Sequence, residues 1–204
     1  MDGQHRLTAI SELNEYELDG GYVESLVTFD ADKECFHAID QNRTRSNKDA
    51  LFIAGFTYSH QLPAVVRLLE QYETGKFEKR LTNAKMIELA NKYEDICESV
   101  SFGGSFVKTK LLSLSVAGAC HYLFRQVSPE KTEEFFDSLR NGIGLKKGNP
   151  VLVLRDYCLR TKIRTHMGYQ WLWMVIDIWN RCREGKSLYR LLPDAVIKRR
   201  ARVI

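Results

Sequence analysis

The sequence predicts an α+β protein in which a small mixed unit over roughly the first quarter, residues 1–56, precedes a mostly helical domain over residues 57–204. Three observations carry this. One run, Tyr22 to Phe29, has the β-branched and aromatic content of a strand and follows a turn at Asp19-Gly20-Gly21. From residue 47 onward apolar residues recur at helical spacing, punctuated by capping residues and glycines. A length of 204 residues at 44% hydrophobic and 27% charged content is enough for one good core.

Taken in order, "GQHRLTAISELNEY" places Leu7, Ile10 and Leu13 on one face of a helix, with Asp2 or Gly3 just before its first turn. The strand Tyr22–Phe29 follows, then "DKECFHAIDQ", at best a short helix. "NRTRSNKDALFIAGF" reads as a turn and a helix capped by Ser46 or Asn47 and stopped by Gly55. Residues 59–74 carry Leu62, Val65, Val66, Leu69 and Tyr72. "LTNAKMIELANKYEDICESV" opens a helical segment at a Thr82 or Asn83 cap, and "SFVKTKLLSLSVAGACHYLFRQV" is apolar enough to be central to the core. Ser128-Pro129-Glu130 begins a helix that ends at Gly142 and Gly144. Asn149-Pro150 begins the next, and "GYQWLWMVIDIWNRCREGK" is the last long one, stopped by Gly185. A single strand leaves its backbone groups unpaired, so the first unit needs further strands.

No apolar run approaches a membrane span and no signal peptide precedes the first motif, which predicts a cytoplasmic protein without a membrane partner. The five cysteines, Cys35, Cys97, Cys120, Cys158 and Cys182, form no CxxC pair and read as free thiols rather than as zinc or disulfide sites. The net charge of +4 conceals an asymmetry. Residues 1–139 carry 15 Lys+Arg against 22 Asp+Glu, and residues 140–204 carry 15 against 4. A basic end on an acidic body points to a polyanion, most simply DNA, or to docking of that end on the rest of the chain. Arg160, Lys162 and Arg164, with Lys198, Arg199, Arg200 and Arg202 of the tail, are the candidate DNA contacts. "LTNAKMIELANKY" has a passing likeness to a helix-turn-helix but lacks the turn glycine.

Asp2-Gly3-Gln4-His5-Arg6 at the start of a helix has the composition of a phosphate cradle. Glycine lets the backbone approach a ligand, first-turn amides favour an anion, Arg6 can grip phosphate with two bonds, and His5 can donate another. The alternative is a solvated helix start with Asp2 as a simple cap. Asp40, Arg43, Arg45, Ser46 and Asp49 form a second cluster. A turn at Asp40 and a capping-box-like Ser46/Asp49 pair explain it structurally; the functional alternative makes Arg43 and Arg45 further phosphate ligands with Asp40 near a metal. Trp171, Trp173 and Trp179 with Met174 and Ile178 fall at core or interface spacing, and His121 within an apolar helix reads as a satisfied core histidine. No Ser-His-Asp order, P-loop, paired catalytic carboxylates or metal-ligand spacing stands out.

"DGQHRLTAI" resembles the DGQHR-type motif of the ParB/sulfiredoxin superfamily. "VTFDADKECFHAIDQNRTRSNKDALFIAGF", "GNPVLVLRDYCLR" and "IDIWNRCREGKSLYRLL" resemble later segments of a group of phage and bacterial ParB-like proteins, so the likeness covers most of the chain. The resemblance implies that the motif follows a strand and opens a helix, binding nucleotide or DNA phosphate, with a nucleoside triphosphate and Mg²⁺ as the cofactor to expect. Relatives bind and hydrolyse CTP and clamp DNA, repair over-oxidised proteins with ATP, phosphorylate small molecules, or have been described as nucleases. Gln4 stands where sulfiredoxin-like members carry their cysteine, which excludes that activity. The strands that precede the motif in such proteins are not present before Asp2, and the expectation is that an upstream segment is missing. Two functions follow: a phosphate-binding ParB-like protein acting on nucleotide or DNA, or a non-enzymatic DNA-binding or protein-interaction module that keeps the fold without turnover.

Overall fold

The computed structural model describes residues 45–76, 81–161 and 168–204. The chain divides into two compact units, Met1–Ser46 and Asn47–Ile204. The expected strand lies outside the described residues, as does the mixed unit expected over 1–56, apart from residues 45–56. The helix opening at Asn47 buries Ala50 and Leu51, the latter in the core of the second unit.

Among the described residues the fold is helical. Nine α-helices follow one another: α1 (Asn47–Ile53), α2 (Leu62–Thr74), α3 (Asn83–Lys92), α4 (Ile96–Phe106), α5 (Leu114–Arg125), α6 (Pro129–Asn141), α7 (Pro150–Arg160), α8 (Gly168–Arg183) and α9 (Pro193–Arg199). A 3-10 turn, Val107–Thr109, extends α4.

The helix starts follow the capping chemistry in the sequence. Side-chain oxygens of Thr82, Ser113, Ser128 and Asn149 accept from the backbone N–H of Lys85, Val116, Lys131 and Val151, each satisfying an N–H that the helix leaves open. Proline occupies the first turn of α2, α6, α7 and α9, where its missing N–H costs nothing. Gly75 and Gly142 end α2 and α6 in the left-handed conformation, at φ 69° and 67°.

Two segments depart from the sequence reading. "LTNAKMIELANKYEDICESV" is two helices, because Tyr93 turns extended after α3 and Asp95 takes φ 56° before α4. The break buries Tyr93, whose ring meets Tyr122 edge-on at 5.6 Å. The apolar segment from Ser105 is likewise interrupted: Lys110 takes φ 59°, and Leu111 and Leu112 plug the core from a loop before Ser113 caps α5.

The core is built around α5, which packs on α2, α4, α6 and α8. Its contact with α4 is close because Ser99, Gly103 and Gly118 meet there. A Cβ on Gly103 would lie 2.5 Å from the Leu114 carbonyl oxygen. Helix α8 is buried on all sides from Trp171 to Asn180, as a helix enclosed by α2, α5, α7 and α9 must be. Trp171, Trp173, Met174, Ile178 and Trp179 all belong to this core. Trp179 stacks on Phe124 at 4.2 Å and meets Phe135 edge-on at 5.6 Å.

Candidate functional site

Asp2, Gly3, Gln4, His5, Arg6, Asp40, Arg43, Lys162 and Arg164 lie outside the described residues. Of the second cluster, Arg45 is half-buried, Ser46 is exposed directly before α1, and Asp49 is exposed in the first turn of α1. A carboxylate there faces the positive end of the helix dipole.

The basic tail is a docked strap. Arg199 pairs with the buried carboxylate of Asp177, which also accepts from Arg181 Nε at 2.7 Å. Arg200 donates to the Gly75 carbonyl at 3.2 Å. Arg202 donates to the carbonyls of Tyr72 and Glu73 at 2.6 and 3.1 Å, and its guanidinium lies 4.6 Å from the Tyr72 ring centroid. These carbonyls close α2, at the negative end of its dipole, where a guanidinium is a natural cap. The strap continues: Val203 N–H donates to the Tyr72 hydroxyl at 3.0 Å, Asn180 brackets Arg202 and Ile204 with two hydrogen bonds, and Trp179 Nε1 donates to the Ile204 carbonyl at 3.1 Å. Arg199, Arg200 and Arg202 thus bond to the rest of the chain while remaining exposed, and Lys198 is exposed on α9. Arg160 is exposed at the end of α7 and donates from Nε to the Asp156 carbonyl at 3.0 Å.

A second set of cations, not singled out by the sequence reading, stands on two adjoining loops. Lys146 and Lys147 precede α7; Lys186 and Arg190 follow α8. The loops are joined by the Leu188 N–H donating to the Gly148 carbonyl at 2.8 Å, and the Tyr189 ring lies over Gly148. All four cations are exposed, and Lys186 pairs with Glu184 at 2.9 Å. The Lys146-Lys147 pair between Gly144 and Gly148 was the available signal, but only the fold brings it beside the second loop.

Next to these loops lies a cavity of about 730 Å³ between α6, α7 and α8. Phe135, Leu145, Val151 and Trp179 are apolar residues of its lining, and Ser128, Ser138 and Asn149 polar ones. Its charged residues are Lys131, Glu134 and Arg183. Lys131 and Glu134 neutralise each other at 2.7 Å, while Arg183 lies 5.7 Å from the Trp179 ring centroid. Burial pushes the Cys182 thiol up to about 11, so it lines the cavity as a neutral group.

His121 is buried on α5. Its Nδ1 is 3.0 Å from Ser99 Oγ, its ring stacks on Phe102 at 4.0 Å, and Glu133 lies 3.7 Å from Nε2. Serine, histidine and carboxylate thus stand in sequence, but the serine is in the core, only 2% exposed, while Glu133 lies at the surface. Burial, aided by the nearby Arg125 guanidinium, lowers the His121 pKa to about 4 against the opposing pull of Glu98. A neutral imidazole sharing a hydrogen bond with the serine hydroxyl is a satisfied core group. Cys97, Cys120, Cys158 and Cys182 are free thiols, and burial raises Cys158 to about 12. Among the described residues no group of three or more His, Cys, Asp or Glu is placed to hold a metal ion, and no helix is long and apolar enough to cross a membrane. Comparison with protein-family models, with curated proteins and with solved structures finds no match to the chain.

Proposed function

We propose that the chain is a ParB-like, DNA-associated protein that binds nucleotide or DNA phosphate through Asp2-Gly3-Gln4-His5-Arg6. The observation that carries this reading is the motif itself, in which a glycine, an imidazole and a guanidinium occur together in the sequence, before a segment of helical spacing. The basic surplus of residues 140–204 supports a polyanionic partner, and the exposed Lys146, Lys147, Lys186 and Arg190 are cations available to it. A nucleoside triphosphate with Mg²⁺ is the ligand to try first. Calorimetric titration with CTP, ATP and GTP, with and without Mg²⁺, is expected to show saturable binding that Arg6→Ala removes. Absence of binding to all three, or binding indifferent to Arg6→Ala, overturns the nucleotide reading.

The two adjoining basic loops favour a second reading, a non-enzymatic DNA-binding module. DNA binding that survives Arg6→Ala and disappears when Lys146 and Lys147 become Gln supports it. Removing residues 198–204 is a poorer test, because those residues hold α2, α8 and α9 together.

A further inference from the structure

The cavity between α6, α7 and α8, to which the first basic loop contributes Leu145 and Asn149, has the features of a small-molecule site. Its volume, about 730 Å³, is that of metabolite-binding pockets. Its lining combines apolar and aromatic side chains with polar groups. The charge balance is positive: with Lys131 and Glu134 cancelling, Arg183 remains. Arg183 forms no carboxylate pair among the described residues and rests on the Trp179 ring instead. A guanidinium lying on an aromatic face retains in-plane donors for an incoming anion. The first turns of α6 and α7 open onto the same space through Ser128 and Asn149, adding the positive ends of two helix dipoles. The cap oxygens already bond Lys131 and Val151 N–H, so a ligand's anionic group is directed to Arg183 and its apolar body to Phe135, Leu145 and Val151.

We infer that this cavity binds a small organic anion, a carboxylate or phosphate on an aromatic or branched apolar body, with Arg183 as the group that selects for the charge. The inference rests on the described residues alone and does not depend on Asp2–Arg6 binding nucleotide.

The test uses the full chain and a fluorescent pair with nearly the same body, anionic 1-anilinonaphthalene-8-sulfonate and neutral N-phenyl-1-naphthylamine. The sulfonate is expected to bind saturably at one site, with energy transfer from tryptophan. Arg183→Gln is expected to weaken it about tenfold, the effect of removing one charge-assisted hydrogen bond, and to leave the neutral probe unchanged. Ser138→Trp, which fills the cavity, is expected to exclude both probes, with the melting temperature monitored alongside. Phenyl phosphate and phenylacetate then compete for the bound sulfonate; the stronger competitor identifies the preferred head group, and either order supports the site. Non-saturable binding, equal affinity in Arg183→Gln, failure of both competitors, or weakening that follows Arg6→Ala instead overturns the proposal. Arg183→Gln keeps the test decisive even where Ser138→Trp lowers folding, because Arg183 is exposed at the end of α8.

Discussion

At the scale of single residues, His121 shows how burial converts an ionisable group into a pH-dependent element of stability. Its pKa in the folded chain is about 4, against about 6.5 in an unfolded one. Between these values the unfolded chain binds the extra proton and the folded chain does not, so stability is intact above pH 6.5 and falls as pH drops toward 4. The full loss is of order 3 kcal/mol. His121→Gln removes this titration while keeping a group that can bond Ser99. Urea unfolding at pH 7 and pH 4 is expected to show a smaller acid-induced loss in His121→Gln than in the parent; parallel losses would refute the assignment. Histidine within "VAGACHYLF" was legible as a core residue from its apolar neighbours alone. Ser99 was not, since it lies 22 positions away on another helix.

At the scale of elements, the helix ends were the most legible part of the fold. Thr82, Ser128-Pro129 and Asn149-Pro150 announce starts, and Gly142 a stop, because each residue type answers a local backbone need. The breaks at Asp95 and Lys110 were hidden, because non-glycine residues adopt the left-handed conformation there, at φ 56° and 59°. The close approach of α4 and α5 was hidden too: Gly103 reads as a weak helix residue, yet its lack of a side chain sets the distance between two helices. Gly103→Ala gains about 1 kcal/mol of helix propensity but thrusts a methyl group against backbone at 2.5 Å. The net expectation is destabilisation by about 1–3 kcal/mol, read as a lower denaturant midpoint; a midpoint equal to or above the parent's would mean the helices part without cost. The strap yields a second expectation. Removing Ala201–Ile204 strips partners from Trp179 Nε1, the Asn180 side chain and the Tyr72 hydroxyl. Counting the second Asn180 bond and the two Arg202 bonds to α2, six hydrogen bonds break; at about 1 kcal/mol each, the melting temperature should fall by about 12–24 °C and tryptophan emission should shift to the red. An unchanged melt would mean that the strap adds no net stability.

At the scale of the whole molecule, charge counting found the basic end but not its division of labour. Sums along the sequence treat Arg202 and Lys147 alike. In the fold, Arg202, exposed as it is, closes the C-terminal carbonyls of α2, whereas Lys147 stands exposed on a loop bonded to the one that carries Arg190. Partner choice depends on which cations remain for solvent, and that is a property of long-range packing no window of residues contains. The two sets therefore predict different phenotypes. If the chain binds DNA electrostatically, abolishing one cation–phosphate interaction lowers the slope of log K against log salt by about 0.9. Replacing Lys146, Lys147, Lys186 and Arg190 by Gln is expected to flatten that slope by about 2–4 and to leave the melting temperature nearly unchanged, as for exposed charges generally. Replacing Arg199, Arg200 and Arg202 is expected to do the reverse, lowering the melting temperature by breaking the bonds to Asp177 and α2 while changing the slope little. Filter binding from about 50 to 200 mM salt, with thermal melts of the same preparations, separates the two. A slope that follows the tail arginines instead would mean that DNA displaces the strap from α2, with binding and release of the C-terminal segment as one event.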